Sequence, residues 1–246
     1  MKNIYDSAAQ LVGNTPLVRL HNLERREGLA ARLLAKLEGC NPGGSAKDRV
    51  AVSMLDEAER AGRLHPGDTV VEPTSGNTGI AFSALGTFTG HPVHIFMPDW
   101  ASEERKKLMA MYGATLHLIS REAGGFNAAL QGARDLAEEI GGFQPKQFEN
   151  QDNPEAHYLT TGVEILRQLP DVTDFVAGVG SGGTLMGTAR RLSDDQAAYD
   201  ADRIARRTTA THGWLAGPPC TLWIHDRRSG TDCRSGEGSR IQFPKP

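Results

Sequence analysis

Cysteine is scarce in this chain: Cys40, Cys220 and Cys233 are all it has. They are too few for a disulfide framework, and the histidines keep no ligand-like spacing with them, which argues against a structural zinc. Charge of one sign is also lacking. The formal net charge is -3 with acidic and basic residues interspersed, so there is no broad positive field to attract a nucleic acid or an anionic membrane. No apolar run approaches the roughly 18 residues of a membrane span. The opening MKNIYDSAAQLVGNTP has no apolar signal core or cleavage site, so the expectation is a cytoplasmic enzyme acting on small molecules. At 246 residues the chain has room for one large or two modest domains.

What is present is an alternation of short apolar stretches with longer helical patterns from about residue 33 to 192. Residues 69–71, 92–97 and 115–119 read as strands, and 77–86, 102–112 and 126–140 as helices. This is the signature of an α/β fold built from βα units around a mostly parallel sheet. A second run follows. Asn153 and Pro154 suit the start of a helix reaching about Leu169, residues 174–179 read as a buried strand, and 184–192 as a helix. The early strand at 15–20 is assigned to this second unit.

Three clusters carry chemistry. In NPGGSAKDR (41–49) a Pro-Gly-Gly turn precedes a helical pattern, so Lys47 emerges near a helix amino terminus. The positive end of the helix dipole and partial burial both favour its neutral, nucleophilic amine; read alone, a lysine in this setting is more often simply solvated. In EPTSGNTG (72–79), small hydroxyls, a glycine and exposed amides sit between a strand and a helix, where they suit a carboxylate, although an ordinary βα turn would look the same. In GVGSGGT (178–184) the glycines let the backbone wrap an anion at a helix start. No Gly-Lys-Ser/Thr ending marks a nucleotide P-loop. Gly178, Gly180 and Gly183 do match a dinucleotide-binding spacing, but the surrounding context does not.

Taken in order with VGNTPLVRL (12–20) and KLEGCNPGGSAKDR (36–49), these clusters resemble the fold-type II pyridoxal-phosphate enzymes, especially the O-acetylserine sulfhydrylases, or cysteine synthases, over about residues 8–192. KDR beside Lys47 and MPDWASEERKK (97–107) look nearest to the B-type. The resemblance implies two three-layer lobes with mostly parallel sheets, of the tryptophan synthase β-like kind. Residues 42–151 would form the smaller mobile lobe. Residues 1–41 with 152–192 would form an incomplete lobe holding the cofactor phosphate. It further implies pyridoxal 5'-phosphate held by Lys47 as a Schiff base, with Asn77 on the ring hydroxyl and Gly180, Ser181, Gly182, Gly183 and Thr184 as the phosphate cup. Thr74, Ser75, Gly76, Thr78 and Gln147 would take the substrate carboxylate. The reaction implied is β-replacement of the acetate of O-acetylserine by sulfide to give L-cysteine. Lys47 would act as general base, and the implied assembly is a homodimer.

After Leu192 the βα pattern stops, and in residues 194–246 only 221–225 read as a strand, with a short helix around 197–207. The abruptness points to a replaced α/β ending, leaving the second lobe truncated, rather than to a surface extension. Ser229, Ser235 and Ser239 do not match the family's late residue at the pyridine nitrogen. Two alternatives stay open: a sister reaction such as serine with homocysteine, and a catalytically impaired binding scaffold. The tail's arginines are offset by acids and lack interleaved aromatics, which argues against nucleic acid.

Overall fold

The computed structural model describes residues 4–196, Thr208–Thr211 and Leu222–Asp226. In chain order these form a 3-10 turn (Ala8–Leu11), β1 (Leu17–Arg19), α1 (His21–Arg26), β2 (Arg32–Lys36), α2 (Lys47–Arg60), β3 (Val70–Pro73), α3 (Asn77–Thr89), β4 (Val93–Pro98) and α4 (Glu103–Met111). β5 (Thr115–Ile119), α5 (Gly125–Ile140), α6 (Asp152–Ala156), a π-helical stretch (His157–Thr161), α7 (Gly162–Gln168), β6 (Asp174–Gly178), α8 (Gly183–Gln196), β7 (Thr208–Thr211) and β8 (Leu222–Asp226) complete the order. The chain divides into two compact units. One holds the residues up to Val12 with Asn41–Asn153, the other Gly13–Cys40 with the described residues from Pro154 onward.

The first unit is built on a parallel sheet in the order β3-β4-β5. Both faces are covered, and two glycines show how. A Cβ on Gly86 of α3 would lie 2.2 Å from Val93, while one on Gly132 of α5 would lie 2.8 Å from the Phe96 ring. Val93 and Phe96 stand an odd number of places apart on one strand, so α3 and α5 lie against opposite faces. On the α5 side, Ala129, Ala133 and Ala137 recur every fourth residue and pack on Val71 and Phe96. α5 closes at Gly141, whose φ of 65° suits the left-handed C-terminal position and whose N–H reaches Ala137 O. α2 turns Val50, Ala51, Met54, Leu55 and Ala58 inward. The amino-terminal turn is tied to this unit by Ser7 Oγ, which donates to Phe88 O at 3.1 Å.

The second unit holds a sheet in the order β1-β2-β8-β6-β7. Here the mostly parallel expectation needs correcting: β1–β2, β2–β8 and β6–β8 are antiparallel, and only β6–β7 is parallel. β1 and β2 are consecutive strands that run antiparallel, whereas α8 lies in the connection between the parallel neighbours β6 and β7. β7 is a second departure, since the sequence pattern gave no strand at Thr208–Thr211; β8 lies one residue beyond the strand read at 221–225. The short helix expected around 197–207 lies outside the described residues, as do Ser229, Ser235 and Ser239.

Ile165, Leu169, Phe175, Ala177, Leu185 and Leu192 form the core of this unit. α8 docks backbone to backbone, because a Cβ on Gly187 would sit 1.9 Å from Pro154 O. A buried ion pair crosses the unit: Lys36 Nζ lies 2.8 Å from Glu164 Oε2 and donates to Thr15 O at 2.9 Å and Gln168 Oε1 at 3.1 Å. Glu164 also accepts the N–H of Asn14 at 2.8 Å, in a turn where Gly13 and Asn14 take positive φ. The GNTP segment is thereby pinned to α7.

Candidate active site

Lys47 is the first residue of α2, and the segment before it folds back to make that start. Asn41 Nδ2 donates to Ser45 O at 3.1 Å, and the Lys47 N–H is taken by Ser45 Oγ at 3.1 Å. Asp48 Oδ2 accepts from Gly43 N at 2.6 Å, and any Cβ at 43 would meet that carboxylate at 2.6 Å, so a side chain there would have to displace Asp48. Lys47 itself is half-buried.

The 72–79 segment runs from the end of β3 into α3. Thr74 is tied to β4 by its N–H on Phe96 O at 3.0 Å, and Gly76 caps the helix with extended backbone. Gly79 lets the turn lie against α4: a Cβ there would stand 2.7 Å from Met109 Cε and 3.0 Å from Thr74 Cγ2. Ser75, Gly76 and Asn77 remain half-buried, with Thr74 and Thr78 beneath. Thr78 Oγ1 donates to Gln147 Oε1 at 2.7 Å, which joins the loop to a residue 69 positions away. Asn153 Nδ2 in turn donates to Gln147 O at 2.8 Å.

Beside this lies a residue the sequence reading passed over. Glu72 is 2% exposed, and burial pushes its carboxyl up to about 7, against N–H donors from Lys146 and Gln147 and the positive charge of Lys47. A cavity of about 120 Å³ adjoins it, lined also by Arg134, Lys146 and Gln147. The available signal was a charged residue inside the otherwise apolar strand V-V-E-P.

The first unit therefore holds Lys47, Thr74, Ser75, Gly76, Asn77, Thr78 and Gln147, and joins Thr78 to Gln147 directly. Gly180, Ser181, Gly182, Gly183 and Thr184 belong to the second unit, between β6 and the start of α8. A Cβ at Gly178 or Gly180 would project into open space, and Gly182 takes a φ of 84°. Open backbone ahead of a fourteen-residue helix is a cradle of the right kind for a phosphate. Thr184 Oγ1 lies 3.0 Å from His157 Nε2, and His157 Nδ1 lies 2.9 Å from Thr161 Oγ1, so a fully buried imidazole braces the threonine. His157 is the second residue that the motifs did not single out. Taken each by itself, the amine at the start of α2 in the first unit and the glycine cradle at the start of α8 in the second are groups of the kind that pyridoxal phosphate takes.

Among the described residues no group of three or more His, Cys, Asp or Glu could hold a metal ion, and no helix is long and apolar enough to cross a membrane.

A family model described as "Pyridoxal-phosphate dependent enzyme" matches residues 8–219. Among curated relatives, a cysteine synthase of Staphylococcus aureus is 45% identical over 192 residues, 77% of this chain and 61% of that protein. Cysteine synthase B of Pseudomonas aeruginosa is 47% identical over 199 residues, 79% of this chain and 64% of that protein. Among solved structures, an O-ureido-L-serine synthase superposes with a TM-score of 0.75 at 38% identity, covering 84% of this chain and 63% of that one. The chain thus spans less than two thirds of the length of the relatives it matches.

Proposed function

Since the chain belongs to the pyridoxal-phosphate dependent enzyme family, in its cysteine-synthase branch, we propose that it catalyses β-replacement on an activated serine, sulfide taking the place of the acetate of O-acetylserine to give L-cysteine. Lys47 holds the cofactor covalently, Asn77 meets its ring hydroxyl, and Gly180, Ser181, Gly182, Gly183 and Thr184 take its phosphate. Bound there, pyridoxal phosphate supplies the electron sink that makes an amino acid's α-proton removable.

The remaining work falls to the chain's own side chains. Thr74 and Ser75 through their hydroxyls, Gly76 and Thr78 through backbone N–H groups, and Gln147 through its side-chain amide grip the substrate carboxylate, the Thr78 hydroxyl being given to Gln147. Lys47 Nζ, once free, takes the α-proton as general base, and its place at the amino terminus of α2 favours the neutral amine that can do so. Holding carboxylate and base in one frame converts an encounter into a positioned proton transfer. Residues 42–151 act as the lobe carrying the carboxylate loop, with the amino-terminal turn up to Val12 packed on that lobe rather than on the other, residues 13–41 with 152–192 hold the phosphate, and the working assembly is a homodimer.

What supports this reading most is the 2.7 Å hydrogen bond from Thr78 to Gln147, because it joins two residues assigned to one ligand group from segments far apart in sequence. The test is a visible-absorption titration of the purified protein with pyridoxal phosphate, set beside Lys47→Ala. A saturable band that requires Lys47 is expected, followed by cysteine formation from O-acetylserine and sulfide. A folded protein with no Lys47-dependent band sinks the reading, and turnover of serine with homocysteine instead would reassign the reaction to the sister chemistry.

A further inference from the structure

Gln147 sits on a turn between β3's neighbour at Phe143 and α6, outside any helix or strand. A side chain on such a segment holds its place only if other groups fix it. The residue before it is itself strained: Lys146 takes a φ of 53°, in the left-handed region that L side chains rarely adopt. Its N–H goes to Glu72 Oε2 at 3.3 Å, and its carbonyl accepts from Glu149 N at 2.9 Å and Asn150 N at 3.0 Å. The tie that lands on Gln147 comes from elsewhere. Asn153 Nδ2 donates to the Gln147 carbonyl at 2.8 Å, and both residues are buried.

In the sequence Asn153 suits the start of a helix, yet in the structure it does different work. α6 begins one residue earlier, and Asn150 Oδ1 takes the Asp152 N–H at 2.9 Å. The helix start is thus served by Asn150, and the Asn153 amide turns back six residues to Gln147. Asn153 is in turn fixed from behind. Its N–H meets Asn150 O at 3.2 Å, and Ser53 Oγ of α2 donates to Asp152 O at 3.5 Å. At the far end Thr78 Oγ1 donates to Gln147 Oε1 at 2.7 Å, which leaves the two N–H donors of the Gln147 amide for a ligand.

We infer that Asn153 is a positioning residue for the substrate carboxylate. It acts through the Gln147 carbonyl, setting where the Gln147 amide meets Thr78, and touches no ligand itself. This rests on the reading of Gln147 given above. Removing the Asn153 donor takes a hydrogen bond from a buried carbonyl and lets the turn relax away from its left-handed start, so the amide is no longer presented in one place.

The experiment uses the protein loaded with pyridoxal phosphate and two probes, L-alanine and ethylamine. Both carry the amine, but only L-alanine has the carboxylate that Gln147 takes. Dissociation constants are read from the cofactor absorbance for wild type, Asn153→Ala, Gln147→Ala and the double variant. Asn153→Ala is expected to weaken L-alanine roughly tenfold and to leave ethylamine within about twofold of wild type. The double variant should bind L-alanine no worse than Gln147→Ala alone, because both substitutions remove one interaction. Asn153→Asp keeps the shape but sets an oxygen against the Gln147 carbonyl, so it should show the same selective loss, and it serves if the alanine variant does not fold. Normal L-alanine binding in the Asn153 variants would overturn the proposal and leave the Gln147 reading intact. Equal weakening of both probes, or penalties that add in the double variant, would do the same, since they mark a merely structural role. A Gln147→Ala protein that binds L-alanine normally, or a wild type that takes no cofactor, would remove that reading and the proposal with it.

Discussion

Both units bury glutamate, and Glu164 in the second and Glu72 in the first are treated in opposite ways. Glu164, in α7, meets Lys36 at 2.8 Å, so its charge is matched by a dry ammonium. Glu72, at the end of β3, is held by N–H dipoles from Lys146 and Gln147 and feels Lys47 only through Coulomb attraction. Taking a carboxylate out of water is expensive unless a cation or several donors compensate. In the second unit compensation is complete and the pair is structural. In the first it is partial, and the carboxyl is left near the midpoint of its titration beside the residues assigned to chemistry, where perturbed groups tend to gather.

The contrast can be broken hardest at Lys47. Lys47→Ala should lower turnover of O-acetylserine with sulfide by more than about 10³-fold with little change in the urea midpoint, since it removes the amine proposed to react and leaves the packing alone. Steady-state assays beside denaturation curves would check both halves. Glu164→Ala should do the reverse. It strands a buried ammonium and should cost about 4 kcal/mol of stability in urea unfolding, while activity per folded molecule stays near wild type.

The third prediction concerns pH. Glu72 has its carboxyl raised from 4.5 to about 7 by burial, so the folded state holds that proton more tightly than the unfolded chain. Its contribution is present below about 4.5 and is lost as pH rises through about 7. Stability should fall by about 3 kcal/mol across that window relative to Glu72→Gln, as measured by chemical denaturation of both proteins at matched pH. The smallest effect is expected from Thr78→Val, which removes the hydroxyl donor to Gln147 but keeps the shape. KM for O-acetylserine should rise roughly tenfold with kcat nearly unchanged.

Much of this was legible in the sequence because it was written in patterns that local physics enforces. β5 falls on residues 115–119 as the apolar stretch indicates, and α5 follows the four-residue alanine repeat to its glycine stop. Strand direction was not legible. Nothing in the composition of β2 states that its neighbours run antiparallel, because direction is set by how the chain returns to it. β7 escaped notice because T-T-A-T offers no apolar alternation. α1 was missed for a related reason: it is polar along most of its length and has no side-chain cap at Leu20. At the site, glycines and hydroxyls betrayed the loops, since each turn needs residues of that kind. Glu72 and His157 stayed hidden because their roles arise from partners brought in from elsewhere in the chain, Lys146 and Gln147 for one and Thr184 for the other.

Lys36 also bears on how the second sheet avoids assembling wrongly. It stands inside the sheet, opposite Leu17 on one side and Leu222 on the other, with no exposure to water. A chain that paired β2 one residue out of step would swing the ammonium to the other face, leaving it and Glu164 apart and dry. Correct pairing gains little from the ion pair, but a slipped one forfeits several kcal/mol at once. The charge in the middle of an apolar sheet thus serves as a proofreader of strand alignment, rejecting near-miss structures that hydrophobic burial alone would tolerate.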